Sequence, residues 1–238
     1  MNVVERLDEE DPNQEWLLNF HREIYSHIIP FIKNKNILDI ACGFGYATNL
    51  YIQNGASSVT GVDISEETIN EAKRRYNNKN INFLQGNAEN LEMLPSGSFD
   101  IVTSVETIEH VKNYLSFIRE VYRLLKKDGV FFLSTPNRLA SNKQNPYHVK
   151  EFSFDELKND LENNGFKIIK ADGLYFKKSF NIISDFFIAH RKLYKILFFL
   201  KKTFVYKIFL KFVANPKIEN NLSNCTVMVI AAKKFFNT

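Results

Sequence analysis

An apolar run that ends on an acid and breaks at once into two glycines leaves a chain few conformational options. Residues 37–48 read ILDIACGFGYAT. A strand closed by Asp39 that turns through Gly43 and Gly45 into a helix from about Tyr46 sets bare backbone and a positive helix end beside whatever binds there. Glycine turns of this kind also serve packing, so the turn alone leaves both readings open. The next apolar run ends on Asp63, roughly twenty residues on, where a carboxylate can accept both hydroxyls of a ribose. A pyrophosphate loop would carry a third glycine at position 48, which is Thr48. The expected ligand is therefore an adenosine-containing molecule without phosphates.

The rest of the chain alternates short β-rich runs with helix-length patterns. NILDI leads to a helix from Tyr46, SVTGVDI to SEETINEAKRRY, FDIVTSV to NYLSFIREVYRLLKK, and GVFFLST to FSFDELKNDLENN, with CTVMVIAAKK as the final strand. Several strands are continuously apolar, as a parallel sheet covered on both faces requires. This order predicts an α/β fold of βαβ units. Ser65 before Glu66 and Glu67, and Ser153 three residues before Glu156, read as helix N-caps. Asp128-Gly129 reads as the end of a helix that finishes on two lysines. At 238 residues the chain suits one elaborated domain, 1–238, with an N-terminal helical region over 1–35, its helix at roughly 14–33.

Charge is unevenly spread. Residues 177–211 hold nine Lys or Arg against the single acid Asp185, so within a net charge of +4 this segment carries +8 and the remainder −4. A slightly acidic core argues against nucleic-acid binding. The segment 176–212 is also dense in Phe, Ile and Leu, and no stretch of about 18 residues in it lacks charge, so it does not read as a membrane span. It is expected to form a helical insertion before the last strand, capping the acceptor pocket, with peripheral contact to an anionic membrane as a second use. The acidic N-terminus lacks the pattern of an export signal, and two distant cysteines, Cys42 and Cys225, give no disulfide framework or thiolate zinc site. The expectation is a cytoplasmic protein, associated with the inner face of the membrane if the insertion binds lipid.

A second constellation follows the fourth strand. In SVETIEHV, Glu106, Glu109 and His110 stand at i, i+3 and i+4, so one helical turn would aim all three alike. Two carboxylates that close repel unless a cation or proton lies between them. The same residues equally suit a solvated helix start beside a buried histidine.

Taken in order, LDIACGFG, GVDIS, GNAENL, FDIVTSVETIEHV, RLLKKDGVFFLSTPN and NPYHVKEFS resemble the Rossmann-like, class I S-adenosylmethionine-dependent methyltransferases over residues 36 to about 175 and again in the last strand. The resemblance implies a seven-stranded, mostly parallel sheet with an antiparallel last strand and helices on both faces. It implies S-adenosylmethionine with its methionine moiety against Asp39, Gly43 and Gly45, its ribose on Asp63, and its adenine near Ile64, Asn87 and Ala88, with Ala41 and Val105 completing the site. The family often has Gly at position 41 and Asp at position 87, where this chain has Ala41 and Asn87.

Glu-x-x-Glu-His with a downstream histidine resembles a narrower group, the ubiquinone-pathway O-methyltransferases and the small-RNA 3′-terminal 2′-O-methyltransferases. That likeness implies one divalent cation, Mg²⁺ or Mn²⁺, on Glu106, Glu109, His110 and His148, the residues assigned to catalysis. NPYHVKEF also resembles methyltransferases encoded among bacterial surface-polysaccharide genes, which makes a sugar hydroxyl on a polysaccharide or nucleotide-sugar precursor the leading acceptor. A lipidic or quinone-like small molecule is the alternative acceptor, and a non-catalytic S-adenosylmethionine-binding protein the alternative class.

Overall fold

The computed structural model describes residues 6–11, 14–141, 145–175, 217–219, 222 and 225–235. The segment expected to form a helical cap, 176–212, lies outside the described residues. Eight strands form one sheet: β1 (Asn36–Ile40), β2 (Ser58–Asp63), β3 (Ile81–Gln85), β4 (Phe99–Val105), β5 (Leu125–Pro136), β6 (Phe166–Tyr175), β7 (Lys217–Glu219) and β8 (Val227–Lys234). Their spatial order is β3-β2-β1-β4-β5-β8-β6-β7. The first five are parallel, and β8 enters antiparallel between β5 and β6. This is the expected Rossmann-like sheet with its antiparallel last strand. Beyond the seven strands expected, three-residue β7 pairs with Gly173–Tyr175 at the edge.

The continuous apolarity of the strands has its cause in two cores. On one face Val102, Phe131 and Leu133 pack with Phe117 and Val121 of α4 (Tyr114–Leu124) and with Leu157 and Leu161 of α5 (Phe154–Asn163). On the other, Ile37, Ile101 and Phe132 pack with Tyr25 of α1 (Glu15–Ser26) and Ala47 and Tyr51 of α2 (Tyr46–Gln53). Neighbouring residues of β4 and β5 thus bury on opposite faces, the period-2 alternation of a strand with no solvent side. Helix α3 (Glu66–Arg75) starts where Ser65 Oγ accepts the Thr68 N–H, and α5 starts on a full capping box between Ser153 and Glu156.

Two boundaries differ from the sequence expectation. The N-terminal helix ends at Ser26 and gives way to a 3-10 turn, Ile29–Phe31, because Pro30 lacks the N–H that a longer helix would need. Helix α4 ends at Leu124, before the two lysines. Leu125 is fully buried and pairs with Phe99, so the chain is already a strand there. The next pair, Ile101 with Val130, is out of step, and Lys126–Gly129 forms the irregularity with Asp128 at φ +63°. Burying Leu125 outweighs continuing the helix.

The glycine turn after β1 is left-handed at three points: Ala41 at φ +60°, Gly43 at +54° and Gly45 at +87°. A Cβ on Gly45 would sit 2.7 Å from Phe83 Cζ, so that glycine is needed for space as well as conformation. Ala41 occupies the left-handed region with its methyl exposed, which costs an L-residue about 1–2 kcal/mol. Part of that is returned on substitution, because glycine gains more freedom in the unfolded chain. Ala41→Gly is expected to raise the unfolding free energy by about 0.5–1 kcal/mol in urea titrations. An unchanged or lower midpoint would show that the turn is relaxed.

Candidate active site

The chain leaves β1 toward β2 and β3, then returns to place β4 on the other side of β1. This reversal opens a crevice at the carboxyl edge, where α/β sheets bind ligands. A cavity of about 950 Å³ lies there, walled by Ala41, Gly43, Asp63, Ile64, Asn87, Ala88, Val105 and Glu106 on the strand side.

Asp39 and Gly45 do not line this cavity. Asp39 lies beneath it, 3 % exposed, with one carboxylate oxygen accepting from Thr48 Oγ1 at 2.8 Å and the other from Thr103 Oγ1 at 2.9 Å. Burial pushes its pKa up from 3.8 to about 6, against the two hydroxyl hydrogen bonds that favour the anion. It therefore frames the turn rather than reaching into the cavity.

Asp63 holds the turn from the neighbouring strand. Its Oδ2 accepts the Gly43 N–H at 3.1 Å, its Oδ1 accepts the Ser65 N–H at 2.9 Å, and Arg6 Nη2 stands 3.4 Å from Oδ1. Each carboxylate oxygen has two acceptor directions, so this pattern is compatible with further hydroxyl donors. Ile64, 65 % exposed, offers an apolar face beside it. Asn87 Oδ1 accepts the Glu89 N–H at 3.0 Å.

On the β4 side, Glu109, His110 and His148 each present a ligand atom within 4.8 Å of the others. Glu109 is 1 % exposed, its Oε2 accepting from Thr135 Oγ1 at 2.9 Å. Its carbonyl accepts the Val149 N–H at 2.7 Å and the Lys150 N–H at 3.1 Å, so the loop carrying His148 is pinned to the residue beside His110. The two imidazole centroids are 5.0 Å apart. His110 Nδ1 donates to the Tyr147 carbonyl at 3.1 Å, which puts the lone pair on Nε2.

Glu106 does not share this geometry. The helical turn expected to carry all three residues is a 3-10 turn of Ile108–His110 that begins after Glu106, and Glu106 is left-handed at φ +50°. Its N–H meets the Ser134 carbonyl and hydroxyl, and Ser134 Oγ donates to its Oε1 at 2.7 Å. Strand pairing with β5 continues through Glu106 and turns its carboxylate toward Ser134, on the same cavity wall but outside the cluster of three.

Sequence reasoning missed the opposite wall. Helix α1 contributes Leu17, Phe20, His21 and Tyr25, and Arg6 and Leu7 come from the segment before it. His21 Nδ1 donates to the Leu17 carbonyl at 2.9 Å, and burial pushes its pKa down. The one-turn spacing of His21 and Tyr25 on an amphipathic helix was the available signal. The segment before α1 is latched to α3 by Arg75, 2.7 Å from Asp8 Oδ1, and by a hydrogen bond from Tyr76 to Glu9.

The sequence profile of a methyltransferase-domain family matches residues 38–133, from the middle of β1 into β5. A protein of Mycolicibacterium smegmatis named "Probable S-adenosylmethionine-dependent methyltransferase" is 32 % identical over 160 residues, covering 65 % of this chain and 61 % of that one. Residues 38–133 thus resemble a methyltransferase domain, and the mycobacterial likeness extends over 160 residues. A ubiquinone biosynthesis O-methyltransferase of Haemophilus ducreyi is 40 % identical over 110 residues, 44 % of this chain and 46 % of that one. The chain thus spans about three-fifths of the length of the mycobacterial relative and less than half of the ubiquinone enzyme. Among solved structures, the YcgJ protein of Bacillus subtilis superposes with a TM-score of 0.61 at 22 % identity, over 91 % of this chain and all of that one. The [4+2]-cyclase SpnF superposes at 0.64 with 16 % identity, over 92 % of this chain and 81 % of that one. These likenesses concern the fold alone.

The buried Asp39 carries a pH signature. Because its folded pKa of about 6 exceeds the ordinary 3.8, the folded state holds a proton that the unfolded chain releases. The stability this gives is complete below about pH 4 and lost as pH rises toward 6. Asp39→Asn keeps the size, and its amide can still serve one hydroxyl as acceptor and the other as donor. Urea unfolding of that variant between pH 4 and 7 is expected to lack the wild-type decline, which amounts to at most about 3 kcal/mol. Parallel profiles for the two proteins would show that Asp39 does not titrate in this range.

Proposed function

We propose that this protein is an O-methyltransferase that uses S-adenosylmethionine and a divalent cation to methylate a sugar hydroxyl on a surface-polysaccharide or nucleotide-sugar precursor. The observation that carries the cation reading is the convergence of Glu109, His110 and His148 within 4.8 Å on the cavity that Asp63 also faces. One carboxylate and two imidazoles suit Mn²⁺ better than Mg²⁺, which prefers oxygen ligands. In this reading S-adenosylmethionine supplies a methyl group on a sulfonium leaving group, and a cation on the cluster supplies Lewis acidity toward the acceptor hydroxyl.

The chain's own residues divide the remaining work. Asp63 accepts ribose hydroxyls while its other hydrogen bonds hold Gly43 in the turn. Ile64 and Ala88 give the adenine apolar surface, and the Asn87 amide reads its edge. Thr135 fixes Glu109, and the Tyr147 carbonyl fixes His110. In this reading helix α1 lends the cavity an apolar wall for the acceptor. Its apolar and aromatic side chains, Leu17, Phe20 and Tyr25, favour a second reading with a quinone-like or other lipidic acceptor, and the named activity of the ubiquinone-pathway relative points the same way.

Methyl transfer from S-adenosylmethionine to a panel of nucleotide-sugars and alkyl-catechols separates these readings. Under the leading one a nucleotide-sugar gains a methyl ether, EDTA abolishes turnover, and Mn²⁺ restores it. Glu109→Gln is expected to lose turnover with cofactor affinity nearly unchanged, since its effect falls on the reacting hydroxyl. Asp63→Ala is expected to weaken cofactor binding by roughly 2–3 kcal/mol in calorimetry. Turnover that survives exhaustive chelation would overturn the cation, and an unaltered affinity in Asp63→Ala would overturn the ribose assignment.

A further inference from the structure

The loop 145–151 does more than deliver His148. Its backbone is fastened on one side through the Val149 and Lys150 N–H groups to the Glu109 carbonyl, and on the other through Phe152, fully buried and bridged to Asn137. Between these anchors stands Glu151, whose side chain is 8 % exposed. Its Oε1 accepts from His148 Nδ1 at 2.7 Å, while its Oε2 is buried with no hydrogen-bond partner. Glu151 offers no atom to the cluster of Glu109, His110 and His148. It stands behind the imidazole, in the place from which a carboxylate orients a metal-binding histidine.

The other face of the ring is equally defined. Asn145 Oδ1 accepts the Tyr147 N–H at 3.0 Å, which fixes the amide with Nδ2 toward His148 Nε2, 2.9 Å away. His148 is therefore held as the Nδ1–H tautomer, with an amide N–H resting on its ligating nitrogen. We propose that Glu151 is a positioning residue for the cation site, holding His148 with Nε2 as its ligand atom, and that Asn145 Nδ2–H is a stand-in donor on that nitrogen which a divalent cation displaces. This rests on the cation reading above. It explains why a carboxylate oxygen is buried without a donor: positive charge arriving on the far side of the imidazole stabilises the carboxylate that holds it.

The test is titration of Mn²⁺ into the full-length protein, with the signal of free Mn²⁺ followed by electron paramagnetic resonance. Wild type is expected to bind one Mn²⁺. Glu151→Ala is expected to bind it 10- to 100-fold more weakly, the range seen when such outer partners are removed. Glu151→Gln, which can still accept from Nδ1–H, should lose less than Glu151→Ala but bind measurably more weakly than wild type. Asn145→Ala should bind as tightly as wild type or more tightly. Nitrogen-15 spectra of the histidine rings should show His148 leaving the Nδ1–H tautomer in Glu151→Ala, a change that general loosening of the loop would not select. S-adenosylhomocysteine affinity should stay constant throughout and reports that each variant is folded. If wild type binds no Mn²⁺, the cation reading falls and this inference with it. If wild type binds and the Glu151 variants bind equally well, only the role of Glu151 is overturned, and weaker binding by Asn145→Ala makes Asn145 a supporting residue instead of a stand-in. Should Glu151→Ala fail to fold, Glu151→Gln decides between the same outcomes.

Discussion

The carboxylate of Asp39 lies at the end of the central strand with a threonine hydroxyl on each oxygen, Thr48 from α2 and Thr103 from β4. These three elements meet where the strand order reverses, and that reversal makes the cavity. A buried carboxylate without donors would be costly there, and two donors from different elements turn the cost into a constraint on their spacing. The glycine turn between β1 and α2 is then short of room. It passes through three left-handed residues, one of them an alanine, and against the Phe83 ring.

Asp63 works on the same turn from the opposite side. By accepting from Gly43 and Ser65 it ties the end of β2 both to the turn and to the start of α3. The residue proposed to take the ribose is thus also part of the scaffold, and its direction is fixed by the backbone N–H groups of Gly43 and Ser65. Arg6 approaches the same carboxylate from a segment that Arg75 latches to α3, so the N-terminal segment is coupled to this corner of the cavity.

The cluster on the β4 side is organised by the main chain. One carbonyl, that of Glu109, receives two N–H groups of the loop carrying His148, and another, that of Tyr147 in that loop, receives the His110 ring. Each segment therefore orients a side chain of the other. A Rossmann-like sheet supports many chemistries, as the likeness to a [4+2]-cyclase illustrates, so function has to be read from such local arrangements and not from the topology.

Much of this was legible in the sequence. Continuous apolar strands, serine caps before acids and paired glycines after Asp39 act through local sterics and local hydrogen bonds, and they determined the βαβ order, the starts of α3 and α5, and the edge at which the cavity opens. The i, i+3, i+4 spacing grouped Glu109 with His110, and the resemblance to a group with a downstream histidine added His148, but the spacing misplaced Glu106, because pairing with β5 runs through that residue and delays the turn. Only the tertiary structure decided that Leu125 joins a strand, that Asp39 lies under the cavity, that His21 and Tyr25 form its far wall, and that Glu151 stands behind His148. Each of these depends on contacts between residues distant along the chain, through burial or long-range hydrogen bonding, and a local pattern has no term for them.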